Sequence, residues 1–257
     1  MMLSSAYGTY DCTEQIYDKP LLSPDHPNDV FVFISRVLQT FSDSIHHRTK
    51  PCNLSESEAA YCHHGIWPLL NLVVNQIYDT NCRFRVGKTN LNAVINNATY
   101  LADGTMYIGS SALEVLLLEA SGYYGKHDTV RNAYDHIKAA FGMSTMIKAI
   151  LRKYHNADPT LLHEARVLFI HASSRDNIRL WQMRPTLSGK LLLLERLGKR
   201  SICLDPTDID AMANLMRFLW NKSTMWNKQS LESRVHLRGN VLIPAITVTC
   251  LRSSNTL

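Results

Sequence analysis

Leu101-Ala102-Asp103-Gly104-Thr105-Met106-Tyr107-Ile108-Gly109, then Ser110-Ser111-Ala112, then Leu113-Glu114-Val115-Leu116-Leu117-Leu118-Glu119-Ala120-Ser121-Gly122, is the stretch whose reading decides the fold. Two β-rich runs around a short polar break predict a hairpin. The second run is almost continuously apolar from Leu113 to Leu118, which predicts a strand near the middle of a sheet with both faces covered. A turn centred on Ser111 sets Asp103, at the head of the first strand, opposite Glu119, near the end of the second. Opposite residues share a face, with Cβ atoms about 5 Å apart. Two like charges that close destabilise the fold unless a cation lies between them. Carboxylate oxygens favour a hard divalent ion, so the pair predicts a Mg²⁺ or Mn²⁺ site. Glu114 is a poorer candidate, because it begins its strand at the end remote from Asp103.

Working outward, Gly122-Tyr123-Tyr124-Gly125 reads as a turn, and Asp128 is placed to cap a long helix to about Tyr154. Its apolar stripe, Val130, Tyr134, Ile137, Phe141, Ile147, Leu151 and Tyr154, is the expected buried face. Three strands follow, over Arg166 to His171, Asn177 to Met183, and Lys190 to Arg196, with turns at Ser173–Asp176 and Thr186–Gly189. Upstream, Cys82 to Val86 alternates as a strand. Before it, Ser55 and Glu58 have the spacing of a capping box opening a helix to about Tyr78, bent at Gly65 and Pro68.

Residues 1–27 read as a loose arm. An N-terminal helix and linker occupy 28–54, the helix capped by Asn28 or Asp29, with Val30, Phe33, Ile34, Val37, Leu38 and Phe41 inward. Residues 55–200 form the core unit. Residues 201–257 carry a C-terminal helix over Asp205–Trp226 with Ile209, Met212, Leu215, Met216, Leu219 and Trp220 inward, then a tail with strand propensity over Val241–Cys250. The fold class expected is α/β (α+β), a central mixed sheet flanked by helices with helical extensions at both ends.

An acid at the head of one strand, and another at the end of the next, in the order helix, three strands, helix, strand, resembles the PD-(D/E)XK nuclease-like superfamily. The resemblance is narrower to its divergent branch of fungal and Crinkler-type effector proteins. It implies a restriction-endonuclease-like αβββαβ core over roughly residues 55–200. It also implies metal-dependent phosphodiester hydrolysis of nucleic acid, with Asp103 and Glu119 holding Mg²⁺ or Mn²⁺. Glu58, on the helix before the sheet, matches the further acid that many members carry to the metal, although capping alone accounts for it. The family's lysine falls at position 121, which is Ser121 here. A hydroxyl brings no charge and is a poor base. Two readings follow: the lysine function has moved to the next helix, to Lys138 or Lys126, or hydrolysis has been lost. In the second, the fold serves as an interaction, effector or mobile-element-associated module.

Seven Lys/Arg stand against 12 Asp/Glu in residues 1–119, a balance of −5, while residues 120–257 carry 20 against 10, a balance of +10. A basic half favours phosphate backbones, and Lys126 and Arg131 are the candidates to meet them. No apolar run reaches the ~18 residues of a membrane span, and no signal pattern opens the chain, so an intracellular protein, cytoplasmic or nuclear, is expected. The six cysteines (Cys12, Cys52, Cys62, Cys82, Cys203, Cys250) lack paired spacing and read as free thiols. His63-His64 with Cys52, Cys62, His46 and His47 invites zinc, but adjacent helical ligands diverge by about 100° and no pair has zinc-unit spacing. Gly87-Lys88-Thr89 lacks the upstream glycine of a phosphate loop.

Overall fold

A computed structural model describes residues 27–75, 82–94, 99–109, 111–156, 162, 165–173, 177–186, 189, 191–205 and 207–221. Residues 1–26 of the arm expected over 1–27, the end of the C-terminal helix past 221, the strand over 241–250, and parts of both turns after residue 173 lie outside these residues, while Pro27 opens the first helix.

Helix α1 (Pro27–Asp43) buries Val30, Phe33, Val37 and Phe41, one residue per turn on a single face. Leu38 is not part of that face: it is 45% exposed. The next helix departs from the expected capping box. Ser57, immediately before α2 (Glu58–Tyr61), accepts the Ala60 amide at 3.0 Å. Glu58 is therefore the first helical residue, one turn too early to reach back to Ser55, whose own amide is held by Asn53 Oδ1 at 3.0 Å. The expected bend is a π-helical turn, Cys62–Ile66, leading into α3 (Trp67–Asn75). Pro68 has no N–H for the His64 carbonyl. The Ser44 hydroxyl lies 3.3 Å from that carbonyl but is nearer the Thr40 carbonyl, at 2.7 Å.

Strands β1 (Cys82–Asn90), β2 (Leu101–Ile108), β3 (Leu113–Ala120), β4 (Val167–Ser173), β5 (Asn177–Pro185) and β6 (Leu192–Ser201) form one six-stranded sheet in the order β1-β2-β3-β4-β5-β6. All pairs are antiparallel except β3 with β4, which are parallel and joined through α4 (Thr129–Lys153). Strand β1 runs four residues past the expected end, because Gly87, at φ 87°, takes up a bulge between Val86 and Thr89. Gly87-Lys88-Thr89 is thus strand, not a phosphate loop.

Every residue of β3 is buried, as expected for a strand covered on both faces. Leu116 and Ile170 face an apolar cavity shared with Leu70 and Phe218. The helix over residues 209–221, α5, closes that side with Met212, Leu215, Met216, Leu219 and Trp220, and Trp220 meets Phe33 at 5.3 Å between ring centroids. Ile209, expected inward, is 76% exposed at the first turn of α5.

Helix α4 covers the other side, and the face it turns to the sheet is not the apolar stripe expected from the sequence. Val130, Tyr134, Ile137 and Phe141 are 58–80% exposed, while Asp135, Ala139, Gly142, Met143, Met146, Ile147 and Ile150 are buried. Of the expected stripe, Ile147 alone is fully buried. The inner face needs small residues where α4 nears β3: a Cβ on Gly142 would lie 3.0 Å from Leu117 and from the Tyr100 ring. Gly142→Ala is accordingly expected to destabilise the chain by about 1–3 kcal/mol despite the better helix propensity of alanine. Urea unfolding checks this; a gain in stability would show that Tyr100 and Leu117 are free to yield.

Candidate active site

The β2–β3 register, followed to Gly104↔Leu118, continues by one step to Asp103 opposite Glu119. Next to the turn the register is one residue out, Ile108↔Leu113 and Tyr107↔Glu114, and a bulge between Met106 and Tyr107 restores the register expected from a turn centred on Ser111. Both acids are buried, Asp103 at 9% and Glu119 at 2% exposure. Asp103 is fixed by its own and neighbouring backbone: Oδ2 accepts the Ala120 amide at 2.8 Å, and its carbonyl accepts the Trp67 indole N–H at 3.0 Å. Among the described residues, Asp103 Oδ1 takes no hydrogen bond.

Lys138 comes from α4 to the same place. Its ammonium donates to Glu119 Oε2 at 2.8 Å and to the Leu101 carbonyl at 2.7 Å, and lies 4.8 Å from the centre of the Tyr100 ring. Tyr100 Oη donates to the other oxygen, Glu119 Oε1, at 2.8 Å. Burial raises the Glu119 carboxyl to about 7, against the lowering pull of Lys138 and Tyr100 and with a further push from Asp103. Burial, then the Glu119 charge, also holds the Tyr100 phenol well above its usual range.

Ser121 goes elsewhere. Its side chain is fully buried, its hydroxyl donates to Asp135 Oδ2 at 2.7 Å, and His171 Nε2 lies 2.7 Å away. Burial, with Arg179 and His136 next, lowers the His171 imidazole to about 3. A neutral ring carries one proton, and the serine proton is already given to Asp135, so Nε2–H is the donor to Ser121. A relay results, from His171 through Ser121 to Asp135. Arg131 Nε sits 3.7 Å from the same Asp135 oxygen, and its terminal nitrogen pairs with Glu58, which also accepts the Gly122 amide at 3.0 Å. Ser121→Ala would leave the Asp135 carboxylate short of a buried donor. About 1–3 kcal/mol of stability should be lost, read by thermal melting; an unchanged melt would show that water replaces the hydroxyl.

Of the residues singled out in the sequence, Asp103, Glu119 and Lys138 therefore assemble. Glu58, expected as a cap and as a further metal acid, and Arg131, expected on phosphate, form an ion pair flanking them, and the cap role passes to Ser57. Lys126 stands apart, 3.6 Å from Asp128 and over the Tyr123 ring. Glu114 serves structure: it accepts the Asn92 and Ala93 amides, each at 2.9 Å. Tyr100, Asp135 and His171 were not foreseen. Arg131, Asp135 and Lys138, at i, i+4 and i+7 on α4, did carry a signal, since a polar stripe at that spacing shares one helical face.

Glu58, Glu119 and Asp135 each sense the charge of Asp103. Burial is the main cause that raises Glu58, Glu119 and Asp135, and the Asp103 charge adds to all three. Clustered perturbed groups of this kind mark functional sites. The donor chemistry suits Mg²⁺ or Mn²⁺, which take one or two carboxylates and leave their other positions to water or phosphate. It does not make a protein-only cage: among the described residues no three His, Cys, Asp or Glu are arranged to hold a metal ion, the His63-His64 region included. Among the described residues, Cys52, Cys62, Cys82 and Cys203 form no disulfide. No described helix is long and apolar enough to cross a membrane.

Compared with protein-family models, curated proteins and solved structures, the chain has no match. Its class is therefore the one the coordinates define: an α+β protein with a six-stranded mixed sheet flanked by helices.

Proposed function

We propose that the chain is a divalent-metal-dependent phosphodiesterase acting on nucleic acid, with Asp103 and Glu119 as the metal-holding acids and Lys138 as the active-site lysine. The observation that carries this reading is the 2.8 Å contact between Lys138 and Glu119, which supplies from a helix the cation that β3 lacks at Ser121. When bound, Mg²⁺ or Mn²⁺ supplies an activated water and charge neutralisation at the phosphoryl group. The chain's own residues do the positioning. Two of the three ammonium protons of Lys138 are committed, to Glu119 and Leu101, and the third is available to a phosphoryl oxygen as its negative charge grows. Tyr100 locks Glu119 Oε1, so the acid keeps one orientation. Ala120 does the same for Asp103 Oδ2 and leaves Oδ1 for the ion. The +10 balance of residues 120–257 favours a polyanionic substrate.

Cleavage of single- and double-stranded DNA and RNA with Mn²⁺, using Glu119→Gln as control, tests the proposal. Metal-dependent cutting that the control lacks is expected. A second reading, a nucleic-acid-binding or interaction module without hydrolysis, is favoured by one observation: both Glu119 oxygens already accept protein donors. Binding without cutting of any of the four substrates would select it.

A further inference from the structure

We propose that the outer face of α4 is a homodimer interface, on which a second copy of this chain lays its own α4 in the antiparallel sense. The inference goes beyond the proposed hydrolysis and is independent of it. Val130, Tyr134, Ile137 and Phe141 are 80%, 67%, 58% and 70% exposed. Helix α4 packs its small and sulfur-containing face on the sheet and turns these four outward. From Thr129 to Ile147 the exposed residues are Thr129, Val130, Ala133, Tyr134, Ile137 and Phe141, none of them charged; the next exposed residue is Lys148. A solvated helix face normally carries charge.

The spacing identifies the occupant. Steps of four, three and four residues are those of a coiled-coil seam over two heptads, which a facing helix fills with knobs into holes. The seam is complementary to itself when reversed. A two-fold axis passing between Tyr134 and Ile137 sets Val130 against Phe141 of the second copy, and Tyr134 against its Ile137. Each contact then pairs an aromatic ring with a β-branched residue. A parallel arrangement would instead oppose Tyr134 to Tyr134 and Phe141 to Phe141, and would align the two helix dipoles unfavourably. Such a self-complementary patch is what an isologous dimer requires.

The area agrees. With side chains of this size, the exposed apolar patch is about 500 Å². Two copies would cover about 1,000 Å², the lower limit for a specific interface. A dissociation constant on the order of 10 μM is expected, since interfaces at that limit are weak. Lys138 and Arg131 are engaged by Glu119, Glu58 and Asp135 and are not part of the seam.

Sedimentation velocity of the full chain from about 1 to 200 μM tests this. The wild type should pass from monomer to dimer. Ile137→Glu and Tyr134→Lys, both at exposed positions, should each stay monomeric with an unchanged melting temperature. Mixing the two variants should restore a heterodimer, because position 134 faces position 137 of the other copy in the antiparallel arrangement. Three results would overturn the proposal: a wild type monomeric throughout, a dimer indifferent to both substitutions, or a monomer whose melting temperature falls with either one. The last would show the face covered from within the same chain. Homodimer loss without rescue on mixing would overturn the antiparallel pairing.

Discussion

Lys138→Met is expected to lower metal-dependent phosphodiester hydrolysis by a factor of about 10²–10³, the usual effect of losing one transition-state donor. It should also reveal itself without any substrate. Glu119 is 2% exposed and its nearest cation is the Lys138 ammonium. Removing one partner of a buried pair leaves the other charge uncompensated, which costs about 3–5 kcal/mol. Glu119 has a way out, because its carboxyl already sits at about 7 and will take up a proton more readily still when Lys138 is gone. The variant should therefore trail the wild type by the most at pH 8 and close the gap towards pH 5, where Glu119 is protonated in both. Urea unfolding at the two pH values measures this. A deficit of equal size at both would mean that Lys138 contributes by packing alone.

The wild type itself should show the opposite of ordinary acid denaturation over part of the pH range. An acid whose folded pKa lies above its unfolded value binds its proton more tightly when folded. The resulting stability is fully present below the unfolded pKa and is lost as pH rises through the folded one. For Glu119 the window runs from 4.5 to about 7. The group alone corresponds to about 3 kcal/mol, at 1.36 kcal/mol per unit. Glu58 and Asp135, both raised by burial, contribute with the same sign. The difference between wild type and Glu119→Gln isolates the Glu119 share: the wild type should lose stability relative to the variant as pH rises from 4.5 to 7. A flat difference curve would place the Glu119 proton elsewhere.

The parts of the structure that were readable in the sequence are those set by local chemistry. The apolar run Leu113–Leu118 and the Asp128 cap announce β3 and the start of α4, since period and cap each act over a few residues; the β2–β3 register depends as well on a bulge between Met106 and Tyr107 that no local signal announces. What failed was the side of α4 that meets the sheet. Apolar periodicity alone favours Val130, Tyr134, Ile137 and Phe141, yet the inner face must admit Tyr100 and Leu117 and carry Asp135 and Lys138 to β3, which calls for Gly142 and Ala139 rather than bulk. The same choice concealed half of the site. Asp103 and Glu119 were legible because their strands are neighbours in sequence, and the bulge between Met106 and Tyr107 restores the register that sets them opposite. Tyr100, Asp135 and His171 join through tertiary contacts that no spacing announces, and Glu58 was misread as a cap because Ser55 lies at capping-box distance from it while Ser57 takes the role.

Mn²⁺ calorimetry on the wild type and on Asp103→Asn, repeated in two buffers of different ionisation enthalpy near pH 6, tests the proposed metal site at Asp103 and Glu119 most directly. A cation bound by Asp103 and Glu119 must displace the Glu119 proton. Saturable binding with release of up to one proton is the expected wild-type result, and both signals should vanish in Asp103→Asn. Negligible heats in the wild type, or equal binding by the two proteins, would contradict the site.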